Sequence, residues 1–157
     1  MHIAILMANT DESDFAQRHP KDGEKFARLL GPLRPDWRFT TVAVKDGAFP
    51  ADLSEYDGFI ITGSPASVHD DAPWVHRLMQ VIREIRAAGQ PLFGACFGHQ
   101  AIAKALGGRV ERNPGGWVFG LAETQMEGAP IRLYAAHVEQ VTQLPEGAEP
   151  LGGNADC

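Results

Sequence analysis

The sequence predicts an α/β fold: an open, mostly parallel sheet with helices on both faces and a small antiparallel extension after residue 110. Three observations carry this prediction. Residues 2–8 and 58–62 are short apolar runs without polar alternation, as in strands buried on both faces. Helical apolar spacing separates and follows such runs, and beyond Val110 the pattern changes to shorter extended stretches divided by Gly and Pro.

Taken in order, residues 2–8 read as the first strand and the polar stretch 9–14 as the loop leaving it. Residues 25–33 have helical character, and residues 37–44 are rich in β-branched and aromatic side chains. Residues 58–62 form another buried-strand candidate before the turn Gly63-Ser64-Pro65. From Pro73, suited to a first helical turn, Val75, Leu78, Met79, Ile82 and Ile85 recur at helical spacing until Gly89 and Pro91 stop the pattern. These five are core candidates. Residues 91–93 are the next extended run, and residues 100–106 a short helix closed by Gly107-Gly108. Residues 113–117 form a loop, residues 121–126 and 131–134 an antiparallel flap or edge, and residues 144–153 a surface loop.

A chain of 157 residues suits one domain, 1–157, with a core that needs no disulfide or metal staple. A net charge of −6 disfavours a general nucleic-acid or anionic-membrane binder, since both reward a basic surface. Small molecules or another protein are the expected partners. The two cysteines, Cys96 and Cys157, form neither a disulfide framework nor a paired metal motif, which fits a reducing cytoplasm. No feature requires a metal or an organic cofactor, and residues 1–8 are too short for a membrane span.

The most informative segment is Gly94-Ala95-Cys96-Phe97-Gly98-His99-Gln100, where an apolar run gives way to a helix. It reads as a nucleophile elbow, in which small residues two before and two after the nucleophile make room for a sharp turn. A free thiol is mostly protonated at neutral pH, and the positive end of the following helix would favour the reactive anion. The alternative for an isolated cysteine is a small buried apolar residue, which the flanking glycines disfavour. Acyl transfer also needs an oxyanion hole. Phe97 N–H is one candidate donor, and the Gly63-Ser64-Pro65 turn, ending an earlier strand at the same sheet edge, offers the second.

The elbow and its continuation through Gly107-Gly108-Arg109-Val110 resemble the nucleophile motif of class I glutamine amidotransferases, whose fold is flavodoxin-like. Thr62-Gly63-Ser64-Pro65-Ala66-Ser67-Val68, with Asp70-Asp71-Ala72-Pro73-Trp74, is similar to the oxyanion-loop segment of stand-alone members akin to the amidotransferase domain of GMP synthase. Gly115-Gly116-Trp117 and His137-Val138-Glu139-Gln140-Val141 resemble later segments of that family. The resemblance implies that Cys96 attacks the side-chain amide of glutamine, giving a γ-glutamyl thioester and ammonia before water releases glutamate. It also implies backbone oxyanion donors at Ser64 and Phe97, and substrate contacts at Gly63, Gln100, Val138 and Glu139. An ammonia-accepting synthetase is the implied protein partner.

One departure stands against these matches. The family's His-Pro-Glu type segment, which carries the triad histidine and glutamate, is not found in the 157 residues, so the domain is expected to be C-terminally incomplete. His137 and Glu139, two apart in an extended segment, would face one side and could pair in principle, the alternative being a polar surface strand. His99 is expected to be structural, because the helix carries its side chain away from the thiol. A γ-glutamyl peptide hydrolase on the same scaffold is the second functional reading. A non-catalytic binding or regulatory homologue is the third, and a stress-response member of the related cysteine-elbow superfamily fits the loop motifs less well.

Overall fold

The computed structural model describes residues 1–154; Cys157 lies outside the described residues. A four-stranded parallel sheet forms its centre, in the order β2 (Arg38–Val42), β1 (His2–Leu6), β3 (Gly58–Ile61), β4 (Leu92–Gly94). The strands are short and their side chains alternate between two apolar layers. Ala4, Leu6, Phe59 and Ile61 join the larger core, whereas Ile3, Ile5 and Ile60 face the opposite side.

Helices cover both sides, as the runs of apolar residues require. On one face lie α3 (Pro73–Ala87) and α4 (Phe97–Ala105), with Leu78, Ile82 and Ile85 fully buried. Pro73 occupies the first turn of α3, where its missing N–H costs nothing. The five core candidates on this helix are all buried. On the other face α2 (Asp22–Leu30) lays Phe26, Ala27 and Leu30 over Ile3, Ile5 and Ile60. The single-turn α1 (Asp14–Gln17) is capped by the Ser13 hydroxyl.

Several boundaries differ from the sequence reading. Helix α2 begins at Asp22 and ends before Gly31: Gly31 keeps helical angles at φ −55° and ψ −45°, but Pro32 has no N–H to continue the ladder. Strand β2 ends at Val42, and Val44–Asp46 makes a 3-10 turn that Gly47 closes at φ 82°.

Beyond α4 the chain is antiparallel, as expected. β5 (Arg109–Arg112) pairs with β8 (Glu139–Gln143), and β6 (Val118–Met126) forms a nine-residue ribbon with β7 (Ala129–His137). The ribbon exceeds the two short stretches anticipated. Residues 144–153 are not wholly loop either: β9 (Gly152–Gly153) pairs with Met126 and Gln125. Among the described residues no helix is long and apolar enough to cross a membrane.

Candidate active site

The turn from β4 to α4 carries Cys96 at φ 49° and ψ −108°, a backbone conformation costly for any residue with a Cβ. Two close approaches enforce it. A Cβ on Gly94 would sit 2.5 Å from the Gly98 carbonyl oxygen and 2.6 Å from the His99 nitrogen. A Cβ on Gly98 would overlap the Ile61 carbonyl and lie 2.9 Å from Ile61 Cβ. The two glycines therefore let α4 press against β3 while β4 turns into it. Ala95 N–H extends the sheet ladder to Ile61 O at 3.0 Å, and Gln100 N–H closes the first helical bond to Cys96 O at 3.0 Å.

Cys96 is exposed, while its neighbour Phe97 is buried against Trp74 with ring centroids 5.7 Å apart. As the first helical residue, Phe97 carries an amide N–H outside the helical ladder, open to a ligand. Across from it lies the loop that follows β3. A Cβ placed on Gly63 would be 3.6 Å from Cys96 Cβ, so this loop packs directly on Cys96. Buried Thr62 anchors the loop by accepting Ala8 N–H at 2.9 Å and donating to Gly63 O at 3.1 Å. Ser64 Oγ accepts Ala66 N–H at 3.1 Å, tightening the turn.

A cavity of about 150 Å³ is bounded by Ser64, Ser67, Cys96, Gln100, Trp117, His137, Val138 and Glu139. Sequence reasoning nominated Cys96, Ser64, Gln100, Val138 and Glu139, and the fold brings all five to this one space. Gly63 and Phe97 adjoin it through their backbones. A larger apolar cavity of about 390 Å³ lies on the α2 side of the sheet, between Phe26, Trp37 and Phe93, away from this chemistry. Its lining includes no ionisable side chain.

The pairing of His137 with Glu139 that the sequence allows in principle is not formed. Val138 separates two strands in different sheets, so the residues are not successive same-face positions of one strand. His137 Nδ1 lies 3.2 Å from the Glu139 backbone carbonyl, and the Glu139 carboxylate instead accepts both bonds from Ser67 Oγ at 2.7 and 3.0 Å. Among the described residues no imidazole is hydrogen-bonded to Cys96. His99 points elsewhere, into a cavity formed with Arg86, Ile102 and residues 144–149, where partial desolvation holds its imidazole below the usual range.

Two features had no sequence signal. Gln100 Nε2 donates to Glu139 O at 2.7 Å, joining the elbow helix to the far wall of the cavity. Lys104 Nζ donates to Val68 O at 2.7 Å and to His69 Nδ1 at 2.9 Å, leaving His69 Nε2 to donate to Val110 O at 2.9 Å. Both join residues more than thirty positions apart, and polar residues at such separations show no local period. Among the described residues no group of three or more His, Cys, Asp or Glu side chains could hold a metal ion.

Comparison with known proteins agrees with this geometry. The family model for class I glutamine amidotransferases matches residues 36–156. γ-Glutamyl peptidase 4 of Arabidopsis thaliana is 32% identical over 164 residues, covering 94% of this chain and 64% of the relative. The glutamine-hydrolysing GMP synthase of Thermotoga maritima is 32% identical over 137 residues, covering 82% of this chain and 26% of its own length. Among solved structures, a glutamine amidotransferase from Methylobacillus flagellatus superposes with a TM-score of 0.82 at 23% identity, covering 99% of this chain and 62% of that one. A second, from Thermotoga maritima, gives 0.78 at 20% identity, covering 98% and 67%. The chain thus spans less than two thirds of γ-glutamyl peptidase 4 and of the Methylobacillus protein.

Proposed function

This chain belongs to the class I glutamine amidotransferase family, and on that premise we propose that Cys96 cleaves the side-chain amide of glutamine or of a γ-glutamyl compound. The observation that carries the proposal is the exposed thiol on a strained elbow, facing a loop packed against its Cβ. In the proposed reaction Cys96 Sγ bonds to the γ-carbonyl carbon, and the carbonyl oxygen becomes a tetrahedral oxyanion that accepts the Ser64 and Phe97 N–H groups. The C–N bond then breaks, ammonia or an amine leaves with a proton, and water hydrolyses the thioester to glutamate. Gly63, Gln100 and the Val138–Glu139 backbone are assigned to holding the substrate.

We read residues 1–157 as one unit carrying the nucleophile and the oxyanion donors. No histidine or carboxylate among these residues is assigned the proton-transfer role. A cytoplasmic setting completes the reading, because a reducing compartment keeps an exposed thiol free. An ammonia-accepting synthetase is the partner if glutamine is the substrate.

The similarity to γ-glutamyl peptidase 4, across 94% of this chain, supports γ-glutamyl peptides as the alternative substrate. Trp117, 66% exposed at the cavity rim, offers an apolar surface for the larger leaving group. Incubation with the glutamine analogue 6-diazo-5-oxo-L-norleucine, followed by peptide mass mapping, tests the shared chemistry. A single adduct on Cys96 is expected, and an unmodified Cys96 overturns the reading. Protection from labelling by glutamine or by a γ-glutamyl dipeptide ranks the two substrates.

A further inference from the structure

The Glu139 side chain lies at the proposed site, but its hydrogen bonds point away from a substrate role. Its carboxylate is engaged by the Ser67 hydroxyl at 2.7 and 3.0 Å, while the same hydroxyl accepts His69 N–H at 3.0 Å. Ser67 Oγ has one hydrogen, and it is directed to Glu139. The Glu139 carbonyl accepts Gln100 Nε2 at 2.7 Å, and Gln100 is one turn along α4 from Cys96. These contacts close a circuit: Cys96, Gln100, Glu139, Ser67, then back through the loop to Gly63 against the Cys96 Cβ.

We propose that Glu139 and Ser67 are positioning residues, a clamp that sets the distance between the 63–69 loop and the elbow and so aims Ser64 N–H at the developing oxyanion. The proposal rests on the γ-amide reading above. The β4–α4 turn and β8 are held by strand and helix hydrogen bonds, whereas residues 63–69 belong to no strand or helix, and Ser67 is the point at which their side chains bond to Glu139 of β8. Three further bonds hold the same loop in parallel: Lys104 Nζ to Val68 O at 2.7 Å and to His69 Nδ1 at 2.9 Å, and His69 Nε2 to Val110 O at 2.9 Å. Loss of the clamp therefore loosens the loop without releasing it. Oxyanion donors act through sub-ångström placement, so the cost falls on the tetrahedral state and spares the thiol itself.

The probe is L-glutamate γ-semialdehyde, an aldehyde of the substrate. Cys96 Sγ bonds to its aldehyde carbon, the carbonyl π bond becomes a C–O⁻ that seeks the same N–H donors, and the thiol proton passes to solvent. Affinity for the full chain is compared across S67A, E139A, E139Q and the double variant S67A/E139A, with the iodoacetamide alkylation rate of Cys96 as control. S67A and E139A are each expected to weaken the adduct about tenfold while alkylation stays within about twofold. The double variant should be no weaker than either single one, because each breaks the same link. E139Q, which keeps an acceptor oxygen for Ser67, should restore most of the affinity.

The clamp is overturned if S67A binds like wild type, or if E139A costs its full factor again in the S67A background, which would place the carboxylate directly on the ligand. If wild type takes no adduct, the γ-amide reading falls instead. The clamp is then judged by amide hydrogen exchange of residues 63–69, which both single variants must accelerate and E139Q must not.

Discussion

Gly98 is the position at which the elbow's geometry can be tested most directly. Alanine there adds one methyl group, which is ordinarily favourable inside a helix by about 1 kcal/mol. Here the added Cβ overlaps the Ile61 carbonyl and comes within 2.9 Å of both Ile61 C and Ile61 Cβ. Two of these obstacles are backbone atoms of a central parallel strand, and they cannot rotate aside. Overpacking of this kind costs about 1–3 kcal/mol, and the rigid partner puts G98A at about 3. Subtracting the propensity gain leaves a net loss of about 2 kcal/mol. Urea unfolding followed by circular dichroism measures it. With a slope of about 2 kcal/mol/M the midpoint falls by about 1 M, and melting falls by about 4–8 °C. The slope should be unchanged, since the unfolded surface is the same. A G98A protein as stable as wild type, or more so, would refute the claim that Gly98 is required by contact with β3.

Three other outcomes follow from the same structure. Cys96 adopts φ 49°, so C96G should exceed C96A in unfolding free energy by about 1 kcal/mol, through relief of backbone strain; equal stabilities would show that the elbow stores none. T62V removes the buried acceptor of Ala8 N–H and the donor to Gly63 O, and is expected to cost about 1–3 kcal/mol, with T62S near wild type in thermal melts. Desolvation lowers the His99 pKa below its ordinary 6.5, so the folded state binds fewer protons than the unfolded chain. Stability should therefore decline as pH falls below about 6.5, and H99Q should flatten that part of the pH profile. An identical profile in H99Q would show that His99 does not contribute.

The features legible in the sequence were those with a local cause. Residues 58–61 are apolar without interruption because both faces of β3 are covered, and that run was visible directly. The elbow was legible because Gly94, Cys96 and Gly98 are adjacent and each serves one turn. Helix α2 was displaced by three residues because apolar spacing continues to Leu33, whereas Pro32 decides the end. β9 went unread since two glycines have no side chains to alternate. The break at Val138 was equally silent, because residues 137–141 look like one extended segment until their partners are known. Ser67 and Glu139 stand 72 positions apart, and nothing in either neighbourhood announces the other.

The elbow also has a place in the order of assembly. Every contact that bends the chain at Cys96 comes from β3, β4 and α4, all contained between Gly58 and Ala105. The wall opposite, at residues 137–139, arrives only after the β6–β7 ribbon has turned back. Contacts closed over short chain separations form faster than distant ones, and synthesis proceeds from the N-terminus. The thiol is thus shaped first and enclosed later. During that interval it stands on a formed turn without its cavity, a stage at which oxidants and electrophiles meet it with no selection for shape.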